Sequence, residues 1–166
     1  MKMVITSLDN KKIKEIIKLK DKKYRKLSNS FICEGEHLVL EAYKNNSLKE
    51  LILEDGVNLS LDVDTIYVSH EVLKKISDLN DTSGILGIAS TSTSSDIIGS
   101  KFLLLDGIQD PGNLGTIIRS ALAFNYDKIY VSESTVDVYN EKITLQFDMY
   151  APSNPKKAFS QVIEGK

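Results

Sequence analysis

The sequence predicts an α/β protein in two parts: a small α/β N-terminal domain over residues 1–90 and an incomplete parallel α/β domain over residues 101–166. Three observations predict it. Short apolar runs alternate with segments of helical period along most of the chain. A Ser/Thr-rich stretch without periodicity, "STSTSSDIIGS", reads as a linker over residues 91–100. After it, "FLLLD", a glycine-rich loop, a helical pattern and a second apolar run form one strand–loop–helix–strand unit, whose crossover is right-handed.

Residues 9–26 predict one amphipathic helix, with Ile13, Ile16, Ile17 and Tyr24 at helical spacing among lysines and Asp9 or Asn10 as its cap. Ser28-Asn29-Ser30 breaks it, and Phe31-Ile32-Cys33 predicts a short strand. Glu34-Gly35-Glu36 turns into a helix from His37 to about Asn46, with Leu38, Val39 and Ala42 inward. Leu48 to Leu53 ("LKELIL") and Thr65 to Val68 predict strands. Ser69 caps a helix from Glu71 to about Leu79, and Gly84 to Ala89 predicts a buried strand. This alternation favours a mainly parallel sheet.

In the second part Phe102–Asp106 predicts a buried strand and Gly107–Gly112 a loop. Leu114, Ile117, Ile118, Ala121 and Leu122 mark the apolar side of a helix, with Phe124 a further candidate, and Lys128–Val131 is the next strand. Beyond Val136 the pattern gives at most one short helix and no strand. Two strands and one helix cannot bury both faces of a sheet. Exposed strand flanks, local disorder or pairing with another chain are therefore expected of this half.

Composition bounds the function. No apolar run approaches a membrane span, and "MKMVITSLDNKK" lacks the apolar core of a secretory signal. One cysteine, Cys33, excludes an internal disulfide, so a cytoplasmic location is expected. Residues 1–26 carry ten Lys/Arg against three acids, a charge of +7, and the remainder is −9. A basic segment on an acidic body suits a polyanion, although a lysine-rich solvated helix face explains it equally simply.

The loop after "FLLLD" stands at a strand's carboxyl end, where open α/β sheets bind ligands. Gly107 and Pro111 shape it, and Gly112 and Gly115 permit close approach of a ligand or backbone. Asn113 can cap the helix or reach a ligand with its amide. Helical offsets put Gly112, Gly115, Thr116 and Arg119 on one face, opposite Ile117, Ile118 and Leu122. A guanidinium over glycines suits a phosphate. The spacing alone fits neither the dinucleotide fingerprint nor a P-loop, and a structural turn with a surface arginine fits it as well.

The full string "LDGIQDPGNLGTIIRSALAFN" resembles the first signature motif of the SpoU (TrmH-like) branch of the SPOUT RNA methyltransferases. Upstream, Lys22-Lys23-Tyr24-Arg25, Phe31 and Glu34-Gly35 resemble that family's ribosomal-protein-like accessory domain, which binds RNA. The likeness runs from residue 4 to about 142. It implies a small RNA-binding domain ahead of a SPOUT-like domain, and S-adenosylmethionine-dependent methylation of a ribose 2′-hydroxyl, with ribosomal RNA favoured over transfer RNA. A homodimer is implied as well. Lys11, Lys22, Lys23, Arg25, Glu34 and Gly35 become the RNA-binding candidates, and Asn113 and Arg119 the catalytic ones. Arginine is a poor base, its pKa lying above about 12. Arg119 is therefore expected to hold the ribose-phosphate and stabilise alkoxide character, with phosphate or water taking the proton.

The sequence also departs from the family. Asp137, Tyr139, Asn140 and Lys142 persist, Glu141 stands where the family has proline, and the likeness stops after Ile143. The second and third motifs, a G-N-E-G-like loop and an I-P…S-L-N stretch that form the knot and the cofactor site, are absent. The chain thus reads as C-terminally truncated, with no cofactor-binding residues of its own, and S-adenosylmethionine is not expected to bind it. His37 and His70 lack metal-ligand spacing, and no metal is expected. Cys33 reads as a buried small hydrophobe, Glu34 and Glu36 as helix-start acids, and the tyrosines form no stacking pattern. Three functions stay open: the ribose methyltransferase, a catalytically silent RNA-binding protein, and an unrelated Rossmann-like nucleotide-binding protein.

Overall fold

The computed structural model describes residues 3–91 and 99–139 and the backbone of 162–164. The chain divides into two compact units, Met1–Thr91 and Ser92–Lys166. The first runs β1 (Val4–Ile5), α1 (Lys11–Lys18), α2 (Lys22–Ser28), β2 (Ser30–Glu34), α3 (Glu36–Lys44), β3 (Leu48–Glu54), β4 (Asp64–Val68), α4 (His70–Ile76) and β5 (Ile85–Ser90).

The single helix expected over 9–26 is two. Asn10 caps α1, its Oδ1 accepting from Lys12 N at 2.9 Å. Asp21 caps α2 in the same way, accepting from Lys23 N at 2.8 Å. A second Asx cap twelve residues into a lysine-rich pattern competes with the helix backbone and restarts it. The strand β1 was not visible to pattern reading, because two residues carry no period.

The sheet has the order β1-β4-β3-β5-β2. It is mixed rather than mainly parallel: β1–β4 and β3–β4 are parallel, β3–β5 and β2–β5 antiparallel. Leu51, Ile52 and Leu53 of β3 are each 0% exposed, so both faces of the sheet are covered. On one face α1 and α4 supply Ile13, Ile16, Val72, Leu73 and Ile76 to a core with Ile52, Val68 and Leu86. On the other lies α3, whose Leu38, Val39 and Ala42 are buried. Gly87 permits that approach: a Cβ there would stand 2.6 Å from Leu48 Cδ1, 2.9 Å from Cys33 Sγ and 3.2 Å from Val39 Cγ2. The helix α4 stops three residues before the expected Leu79, where Ser77 turns extended.

The second unit runs β6 (Phe102–Leu105), α5 (Pro111–Ala123), β7 (Lys128–Val131) and β8 (Val162–Glu164), in a parallel sheet of order β6-β7-β8. The third strand corrects the expectation of none beyond Val136. Nor is β6 a buried strand: Leu104 is 78% exposed, and Phe102, Leu103 and Leu105 are half-buried. Among the described residues it is the outer strand and has a neighbour on one side only. The exposed flank expected of both strands is present only at Leu104 of β6, Ile129 and Val131 of β7 being buried, while the expected local disorder falls outside the described residues. The helix α5 begins at Pro111 and is capped by Asp110, not Asn113: Asp110 Oδ1 accepts from Asn113 N at 2.7 Å.

Candidate nucleic-acid interface and strand-end site

In the first unit α1 and α2 sort the basic segment into two sets. Lys12, Lys14 and Lys20 are spent on ion pairs, with Glu50 at 2.9 Å, Asp9 at 2.9 Å and Asp78 at 2.7 Å respectively. The Lys14 hydrogen bond, then its charge, holds the Asp9 carboxyl below its ordinary value. Lys11, Lys22 and Lys23 stand outside these pairs, Lys11 and Lys23 exposed and Lys22 half-buried.

Three of the RNA-binding candidates, Arg25, Glu34 and Gly35, have partners within the fold. Arg25 is only 6% exposed, and its Nη1 donates to Leu19 O at 2.9 Å and Lys20 O at 2.6 Å, filling the end of α1. Glu34 is buried at the end of β2, accepting from Ser77 Oγ at one carboxylate oxygen and from Asp78 N at 3.3 Å at the other, which fastens the end of α4. Gly35 adopts φ +95° and begins α3, its N–H donating to Ile85 O at 3.0 Å. Tyr24, expected on the inward stripe with the isoleucines, points outward: the break at Leu19–Asp21 resets the helical phase. Its ring lies 5.5 Å from Lys18 Nζ.

In the second unit the loops leaving β6 and β7 are laced together. Gly107, at φ +67°, donates its N–H to Ser132 Oγ at 3.1 Å. Gln109 Nε2 reaches Ser134 O at 2.5 Å, Ser134 Oγ reaches Asp106 Oδ1 at 3.4 Å, and Val136 N donates to Ile108 O at 2.8 Å. Ser132 Oγ lies 2.8 Å from Ser134 Oγ and 3.1 Å from Thr135 Oγ1. These hydroxyls at the strand ends were missed by sequence reading, although "SES" directly after an apolar run was the available signal.

This lacing fixes the mouth of α5. The face expected to hold Gly112, Gly115, Thr116 and Arg119 splits. Gly115 is buried with Leu114, Ile118 and Ala121, Thr116 is exposed, and Gly112 and Arg119 sit half-buried at the boundary. Ile117 and Leu122, expected at the centre of the core side, are half-buried flanks. Asn113 is exposed in the first turn, and Thr116 Oγ1 and Ser120 Oγ bond back to Gly112 O and Thr116 O, each at 3.0 Å. The exposed stripe of α5 is therefore polar and small, bordered by one guanidinium.

Among the described residues no group of three or more His, Cys, Asp or Glu could hold a metal. His70 Nδ1 is 2.8 Å from Glu54 Oε1 at the surface. Cys33 is buried, and burial pushes its thiol up to about 12. No described helix is long and apolar enough to cross a membrane.

Two family models match the chain. The MRM3-like substrate binding domain matches residues 10–87, and the SpoU rRNA Methylase family matches residues 100–151, extending past Ile143, where the sequence reading ends the likeness. The 23S rRNA (guanosine(2553)-2′-O)-methyltransferase RlmP of Bacillus subtilis is 34% identical over 143 residues, covering 83% of this chain and 58% of that protein. The mitochondrial rRNA methyltransferase 3 of Homo sapiens is 31% identical over 142 residues, 75% of this chain and 34% of that one. An rRNA methyltransferase from Sinorhizobium meliloti superposes with TM-score 0.81 at 26% identity, over 98% of this chain and 65% of that structure, and its AdoMet-bound form with 0.78. The chain thus spans less than two thirds of each of these relatives.

Proposed function

Because the chain belongs to the SpoU family of RNA methyltransferases, we propose that it acts in methylation of a ribose 2′-hydroxyl of ribosomal RNA, in the cytoplasm and as a homodimer. Membership removes the reading as an unrelated nucleotide-binding protein. The first unit docks the RNA, through Lys11, Lys22 and Lys23 rather than through Arg25, Glu34 or Gly35. The second unit presents the ribose. One observation carries this reading: Asn113 is exposed on a polar, small-residue helix face bordered by the half-buried Arg119, and the loop into that helix is laced to the carboxyl ends of two parallel strands.

Arg119 grips the ribose-phosphate. An arginine stays protonated through the physiological range, so it stabilises negative charge developing on the 2′-oxygen and does not take the proton. The proton passes to phosphate or water. The exposed amide of Asn113 orients the sugar by hydrogen bonding. S-adenosylmethionine supplies the methyl group when bound. The described residues do not fit it: the polar groups at the strand ends, Gln109, Ser132, Ser134 and Thr135, bond one another and the loop backbone. A non-catalytic RNA-binding role for the 166-residue chain alone is the second reading, favoured by that lack of fit.

Fluorescence anisotropy with a labelled ribosomal RNA fragment and its 2′-deoxy counterpart tests the reading. Preference for the RNA is expected, weakened severalfold by Arg119→Ala. Equal affinity for the two strands, or no effect of the substitution, overturns it. Calorimetry with S-adenosylmethionine checks the donor: no binding heat is expected of this chain, and micromolar binding contradicts the lack of fit.

A further inference from the structure

The outward face of α2 is not purely basic. Arg25 points inward, so the opposite side of the helix, set by 100° per residue, is centred on Lys23 and Leu27, with Tyr24 beside them. Leu27 is 72% exposed and Tyr24 36%. They are three residues apart and adjacent on the helix surface. One edge of the patch carries Lys18, whose ammonium stands 5.5 Å from the Tyr24 ring centre. Lys23 flanks it on the other edge and stands outside the ion pairs of Lys12, Lys14 and Lys20.

A leucine at the outermost point of a short helix gains nothing for the fold. A helix meant only to attract phosphates needs lysines there. An aromatic ring and an aliphatic side chain framed by ammonium groups match the two halves of a nucleotide whose base is out of the stack: a flat apolar face and a phosphate. A base-paired helix offers neither side chain a base face, because its bases are stacked on each other.

We propose that Tyr24 and Leu27 form a docking point for an unpaired base of the RNA, with Lys18 and Lys23 holding the adjoining phosphates. The inference rests on the RNA-binding reading of the first unit and names the kind of RNA it takes, one with a loop or bulge rather than continuous duplex.

The test measures binding of the full chain to a ribosomal RNA hairpin with an unpaired loop and to a fully paired duplex of equal length, across a range of salt. The hairpin is expected to bind more tightly. Substituting Tyr24→Ala together with Leu27→Ala is expected to weaken hairpin binding roughly five- to hundredfold, leave duplex binding unchanged and leave the salt slope intact, since stacking releases no counterions. Tyr24→Phe is expected to keep the affinity. Both side chains are exposed, so unchanged thermal unfolding serves as the control for folding. Equal binding of hairpin and duplex, or a double variant as tight as the parent while Lys22→Gln weakens binding, overturns the inference and leaves the RNA reading standing. So does self-association that Leu27→Ala abolishes without changing RNA affinity, which identifies a protein-facing surface. A parent chain that binds neither RNA overturns the underlying reading as well.

Discussion

Arg25 donates to two carbonyls at the end of α1, so truncating it strips those acceptors of a charged donor inside a buried site. Arg25→Ala is expected to destabilise the first unit by about 2 kcal/mol, read from urea denaturation, whereas Lys23→Ala at the exposed helix surface shifts stability by less than ~0.5 kcal/mol. The pair separates a structural cation from a binding one, which residue type could not. Cys33 allows a second test at this scale. Its thiol is raised from 9.0 to about 12 in the folded state. A raised value stabilises the protein fully below the unfolded pKa and is lost as pH climbs between the two. Native protein should therefore resist iodoacetamide at pH 8 and react only on unfolding. The loss of stability between pH 9 and 12 should be smaller in Cys33→Ala than in the parent. Ready labelling of the native chain would show the site open.

At the scale of elements, Gly87 decides how close α3 lies to the sheet. A methyl group there meets Leu48, Cys33 and Val39 side chains at 2.6–3.2 Å, from three different elements, and no single rotamer change relieves all three. Gly87→Ala is expected to cost about 1–3 kcal/mol in a thermal or urea transition, and Cys33→Ala combined with it to recover part of that loss. Such close approaches are silent in sequence, where Gly87 is one residue within an apolar run. Elements with a plain apolar signal were legible: the strand Lys128–Val131 and the body of α5 emerged from pattern alone. The helix break at Leu19–Asp21 did not, because the lysine-rich pattern continues through it and only Asp21, read as one more surface acid, carries the signal. That single cap decided where Tyr24 and Arg25 point, and so which side chains can meet RNA. The strand-end hydroxyls had a similar fate, since a serine's partners lie 25–28 residues away across the loops.

Over the whole molecule the charge is −2, yet residues 1–26 carry +7. A polyanion can bind such a chain only through a local field, because at physiological salt the Debye length is about 8 Å and the acidic remainder is screened beyond that range. The ion pairs divide that local field further. Lys12, Lys14 and Lys20 already face carboxylates, so a phosphate must displace a partner to reach them. Lys11, Lys22 and Lys23 need not surrender any such pair. The salt dependence of RNA binding resolves the two classes. Each of Lys11→Gln, Lys22→Gln and Lys23→Gln is expected to lower the slope of log affinity against log salt by about 0.7 on a single strand. Lys12→Gln and Lys14→Gln are expected to leave it nearly unchanged, since the Glu50 or Asp9 they release adds repulsion to every sequence alike without removing a phosphate contact. Filter-binding titrations from low to moderate salt measure these slopes directly. If all five substitutions lower the slope equally, the RNA reads the basic segment as a diffuse charge cloud, and the ordered arrangement of α1 and α2 plays no part in recognition.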